Sequence, residues 1–108
     1  MKEKAINIIK NELKKFNIKV LQIILFGSRA RGDYSQESDW DFFVIIDKKI
    51  NFYNRKIIKS KINQKLASFN DTIDVKLEYK DDFDERKKII GYIAYDVKRE
   101  GKLLWQTM

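Results

Sequence analysis

Residues 20–26, Val-Leu-Gln-Ile-Ile-Leu-Phe, form a β-rich apolar run stopped by Gly27. Such a run reads as a buried strand, which needs other elements over its faces. The flanking sequence supplies them. Ile6, Ile9, Leu13 and Phe16 recur at helical spacing, predicting an amphipathic helix over residues 3–16. Residues 39–47, "DWDFFVIID", read as a second strand, and Ile58, Ile62, Leu66 and Phe69 mark a helix over 51–69. Residues 72–79 alternate, Ile73, Val75 and Leu77 on one face and Asp74, Lys76 and Glu78 on the other, which predicts a half-buried strand. Ile90, Ile93, Ala94 and Val97 predict a last helix over 84–99, stopped by Gly101, with "KLLW" packing back on the core. The expected architecture is α/β, a small mixed sheet packed with helices in the order α-β-α-β-α-β-α.

A chain of 108 residues has room for one domain and one core, so 1–108 is read as a single unit. There is no proline, cysteine or histidine. Disulfides and thiolate metal sites are excluded, and the commonest zinc ligand is missing. A metal would be held by oxygen, which points to a hard cation such as magnesium. The N-terminal "MKEKAINIIKNELKK" interrupts its apolar residues with charges every few positions, unlike a signal peptide, and no apolar run approaches a membrane span. The expectation is a cytoplasmic protein with no membrane partner. The net charge of +7 suits an anionic ligand or partner, although frequent Lys, Ile and Asn also fit a coding bias.

Between the first two strands lies "FGSRARGDYSQESDWDFF": Gly27-Ser28, ten residues, then Asp39-Trp40-Asp41. On a strand, residues i and i+2 share a face, so Asp39 and Asp41 project together. Two adjacent carboxylates repel unless a cation lies between them. That pair leads directly into an apolar run, which favours a metal role over a turn. Asp74 is the third carboxylate; if the two strands are neighbours, the three can converge on magnesium. An ordinary surface aspartate paired with Lys76 is its plain alternative, and Asp71 and Glu78 are weaker candidates. Gly27 permits close backbone approach, and a short helix opening at Ser28 would aim N–H groups at an anion, with plain capping as the alternative. Arg29 and Arg31 carry guanidinium forks suited to phosphate oxygens, and Gly32 is placed to end the turn. No Gly-Lys-Ser/Thr follows, so this is not a Walker A loop.

Taken together, Gly27-Ser28-Arg29-Ala30-Arg31-Gly32 followed by Ser38-Asp39-Trp40-Asp41 resembles the signature of the minimal nucleotidyltransferases, in the DNA polymerase beta-like superfamily. The resemblance covers nearly the whole chain and places Asp74 at the third-carboxylate position. It implies a nucleoside triphosphate, ATP, bound by Gly27, Ser28, Arg29, Arg31 and Ser38, with two magnesium ions at Asp39, Asp41 and Asp74. It implies catalysis by the same three aspartates: an acceptor hydroxyl attacks the α-phosphate and pyrophosphate departs. Kanamycin-type relatives add a domain for the acceptor, so a chain this short is expected to take its acceptor from another polypeptide. Small proteins of this kind resemble the antitoxin half of HEPN–MNT toxin–antitoxin pairs, in which a tyrosine of a HEPN ribonuclease is adenylylated and silenced.

Two other readings stand beside an active protein adenylyltransferase. One is a nucleotide-sensing module that masks its partner without turnover, and the other is a transferase acting on a small acceptor with a partner subunit. The nucleotide preference and any oligomeric state are left open by the sequence. Lys48, Lys49, Arg55, Lys56, Lys59, Lys61 and Lys65 occur without an acidic neighbour over 48–65. They read as a solvated helix face, or as a docking face for an acidic partner or nucleic acid. Phe52 and Tyr53 are too few for a stacking platform, so direct nucleic-acid binding is not expected.

Overall fold

The computed structural model describes residues 1–108. Its elements run α1 (Lys2–Lys14), β1 (Val20–Phe26), α2 (Ser28–Arg31), β2 (Trp40–Ile46), α3 (Phe52–Leu66), β3 (Ile73–Tyr79), α4 (Lys80–Arg86), α5 (Ile93–Glu100) and β4 (Lys102–Gln106). The strands form one mixed sheet in the order β3-β2-β1-β4. β1 is antiparallel to β2 and to β4, whereas β2 and β3 are parallel, connected by α3. No helix is long and apolar enough to cross a membrane.

β2 is central, and that explains its composition: Phe42, Phe43, Val44, Ile45 and Ile46 are all buried because both faces are covered. On one face, Ile9 and Leu13 of α1 and Ile58, Ile62 and Leu66 of α3 pack against Ile23, Leu25, Phe42, Val44, Val75 and Leu77. On the other, Phe83 of α4 and Ala94 and Val97 of α5 cover Ile24, Phe43 and Ile45. This second layer is the smaller of the two.

Four expectations are corrected. The strand expected over 39–47 is Trp40–Ile46, so Asp39 lies in the loop just before it. The helix expected over 84–99 is two, α4 and α5, because Gly91 at φ 106° breaks the chain between them. Ile90 is therefore 79% exposed rather than part of a core stripe. The tail expected only to pack back is β4, the edge strand beside β1. Phe16 falls beyond α1, and the buried stripe is Ala5, Ile9 and Leu13.

Gly101 does end α5, but in extended conformation (φ −68°, ψ 151°). Its missing side chain matters for space: a Cβ there would lie 2.4 Å from the Val97 carbonyl oxygen and 2.5 Å from Ile24 Cγ2. That close approach lets the chain turn directly from α5 into β4.

Candidate active site

At one end of the sheet β1 finishes and β2 and β3 begin. Phe26 pairs with Asp41 across β1 and β2. The next residue, Gly27, adopts φ 75° and ψ −159°, and a Cβ on it would fall 2.4 Å from Asp41 Oδ2. Glycine is thus required twice, for the backbone conformation and for the space. The group that approaches it here is the Asp41 carboxylate. Ser28 opens the four-residue α2, and no side chain caps that helix, so the capping alternative for Ser28 does not apply. Gly32, left-handed at φ 90°, ends the turn as the sequence predicts, its N–H donating to the Ser28 carbonyl at 2.9 Å.

Asp41 and Asp74 are register partners on the parallel strands β2 and β3. Alternation puts Asp41 on the face of Phe43 and Ile45, the face covered further along by α4 and α5. The Asp41 carboxyl is pushed above its ordinary range, first by burial and then by the charges of Asp74 and Asp39, against the pull of Lys76 and Arg31. Asp39 is exposed in the preceding loop. Asp74 is partly exposed and pairs with Lys76 at 3.5 Å. The three aspartates are neighbours, but no three carboxylates close into a ready cation cage. Asp41 nevertheless feels the charges of the Asp74 and Asp39 carboxylates, and such oxygen ligands suit magnesium completed by phosphate and water oxygens. Of the weaker candidates, Glu78 lies along β3 opposite Ile45 and accepts from Arg86 at 3.2 Å. Asp71 is exposed ahead of β3.

Arg29 does not present its fork to open solvent. Nε donates to the Ser38 carbonyl at 3.2 Å, and Nη2 to the carbonyls of Ser35 and Gln36, each at 3.3 Å. Its guanidinium also stacks between Tyr34 (4.7 Å) and Trp40 (4.2 Å). The Ser38 hydroxyl accepts from the Ser35 N–H at 3.0 Å. Arg29 and Ser38 therefore shape the loop that delivers Asp39. Arg31 is exposed, paired with Asp33 at 3.2 Å and Glu100 at 3.5 Å, and hydrogen bonding to Asp33 raises its pKa first. With Phe26, Gly27, Ile93, Asp96 and Glu100 it lines a cavity of about 260 Å³ beside the turn. The contributions of Tyr34, Trp40 and α5 went unnoticed in the sequence. An arginine followed within the same loop by two aromatics was the available signal.

The basic stretch over 48–65 is not part of this site. α3 packs on the α1 side of the sheet, opposite Asp41. Arg55 donates to the Leu77 carbonyl, and Lys65 lies 3.9 Å from the buried Glu12. The stretch thus lies on the face of the sheet turned from the carboxylates.

The chain is similar to known proteins over nearly its whole length. A sequence model of the family described as polymerase beta, nucleotidyltransferase, matches residues 3–107. A candidate protein adenylyltransferase of Methanocaldococcus jannaschii is 34% identical, covering 95% of this chain and 97% of its own. Protein adenylyltransferase MntA of Aphanizomenon flos-aquae is 31% identical, covering 88% of this chain and 67% of its own. Among solved structures, a toxin–antitoxin with AMP-PNP has a TM-score of 0.57 and 29% identity, over 94% of this chain and 73% of that one.

Proposed function

The chain belongs to the polymerase beta nucleotidyltransferase family, and we propose that it transfers AMP from ATP to a hydroxyl of a partner protein. The acceptor is a tyrosine of a HEPN-type ribonuclease toxin, and the chain is the antitoxin that silences it. The observation that carries this reading is the Asp41–Asp74 register pair, set against the Gly27-Ser28 turn. Relatives named as protein adenylyltransferases and the toxin–antitoxin structure with AMP-PNP, an ATP analogue, support the substrate and the partner class.

The triphosphate lies against Gly27 and Ser28, with Arg31 as the nearby cation. Asp39 and Asp41, with Asp74 beside them, would hold magnesium, which when bound would neutralise charge on the phosphates. Asp74 orients the acceptor hydroxyl and takes its proton. The hydroxyl oxygen bonds to the α-phosphorus, the bond from that phosphorus to the β-bridging oxygen breaks, and pyrophosphate carries away the electron pair. Arg29 holds the 33–39 loop so that Asp39 meets the nucleotide already ordered. The chain's contribution is positioning and electrostatic preorganisation.

A masking role without turnover has one observation in its favour: the Lys76 ammonium already neutralises part of the Asp74 charge. Thermal unfolding tests the metal-bridged nucleotide common to both. At about a hundred times its dissociation constant, a ligand stabilises by roughly 2.7 kcal/mol. For a domain of this size that is a shift on the order of 10 °C with ATP and magnesium. An equal shift with ATP and a chelator would overturn the metal bridge.

A further inference from the structure

At the far end of β1 from Gly27 lies a cavity of about 600 Å³ whose charged side chains are Lys10, Lys14, Lys19 and Lys48 against Asp47, with Trp105 in its wall. None of these four lysines is engaged in an ion pair. Lys14 has a local reason to be there, in the last turn of α1 where the helix dipole favours a cation. Lys10 lies over the Trp105 ring at 4.0 Å. Lys19 and Lys48 have no such explanation.

Reciprocal bonds fix this corner of the molecule. The Lys19 N–H donates to Asp47 Oδ1 at 2.9 Å, and the Asp47 N–H donates to the Lys19 carbonyl at 3.1 Å. One oxygen of the single carboxylate is thus held by backbone, and four ammoniums against it leave the cavity net positive. A concave site with an excess of one sign of charge focuses the field on an incoming counter-charge. Its volume is that of a small-ligand site, and the indole beneath Lys10 offers an aromatic surface. A seven-residue strand separates it from the Asp41 end, roughly 20 Å at the rise of an extended chain.

We propose that this cavity is a second anion site that binds a phosphate-bearing ligand of nucleotide size, independently of the aspartates. The ligand chemistry is that of a polyphosphate or phosphodiester, available from a free nucleotide or from an RNA strand. The site does not depend on the transferase reading.

Trp105 reports on it directly, since Trp40 is the chain's only other tryptophan. In a Trp40→Phe background, with magnesium removed by a chelator, Trp105 emission is titrated with inorganic tripolyphosphate, ATP and an oligouridylate. A saturable change is expected with at least one probe. It should weaken about tenfold or more, with a flatter salt dependence, in Lys14→Gln, Lys19→Gln, Lys48→Gln, and persist in Asp39→Asn, Asp41→Asn. Tighter binding of oligouridylate assigns the site to RNA; tighter binding of ATP or tripolyphosphate assigns it to free nucleotide. The Trp105 indole and Lys19 amide NMR signals of the unaltered chain give the same readout should Trp40→Phe fail to fold. No saturable change with any probe, or binding unaffected by the lysine substitutions, overturns the proposal.

Discussion

Gly27 and Asp41 occupy one space: a side-chain carbon on Gly27 would stand 2.4 Å from the Asp41 carboxylate oxygen. The turn that follows β1 and the aspartate that opens β2 are therefore a single unit. Gly27→Ala combines that clash with a residue forced to φ 75°, a conformation costing about 1 kcal/mol or more outside glycine. We expect a melting temperature lower by about 4–8 °C and a large loss of turnover in a folded protein. Circular dichroism with an adenylylation assay checks both; an active, unshifted Gly27→Ala would contradict the coupling.

Asp41 gives a pH-dependent prediction. Its folded-state pKa lies above the ordinary 3.8, with burial as the first cause and Asp74 and Asp39 following. A raised carboxyl pKa means the folded state holds the proton more tightly, so stability falls as pH rises through the folded value. Asp41→Asn removes that loss. Without metal it should melt higher than the parent at neutral pH, and the difference should shrink as pH approaches 3.8 from above. Thermal melts across that range check the sign.

Arg29 is expected to act through the loop. Arg29→Ala removes three carbonyl hydrogen bonds and two aromatic stacks. Arg29→Lys should fail to rescue, because the planar fork is what meets several carbonyls at once. Turnover should fall more than ATP affinity in both, and Trp40 emission should change with it. Loss of ATP affinity alone would return Arg29 to direct phosphate contact.

The Asp74–Lys76 pair separates base from surface charge. Asp74→Asn should keep ATP binding better than it keeps turnover, whereas Lys76→Met should leave turnover largely intact. Undiminished activity in Asp74→Asn makes Asp74 an ordinary strand aspartate.

Where an apolar run or a regular period marked burial, the sequence is readable: the run of β1, the alternation of β3 and the Ile58, Ile62, Leu66 stripe all stand as predicted. Periodicity misled where apolar residues keep helical spacing without being buried, as Ile90 and Ile93 do around Gly91. β4 was missed because an edge strand buries little: Leu103 is 52% exposed, and Lys102 is charged. The adjacency of Asp41 and Asp74 needed only the two strands to be neighbours. The role of Arg29 depended on how the loop folds back, and spacing alone does not carry that information.

Catalysis on a partner is tested by the intact mass and ribonuclease activity of the co-purified partner after incubation with ATP and magnesium. The parent chain is compared with Asp39→Asn, Asp41→Asn. With the parent chain the partner should gain AMP increments and lose ribonuclease activity in step, and with the double variant it should do neither. Full silencing by the double variant at equal stoichiometry, with no mass gained, would contradict catalysis on the partner.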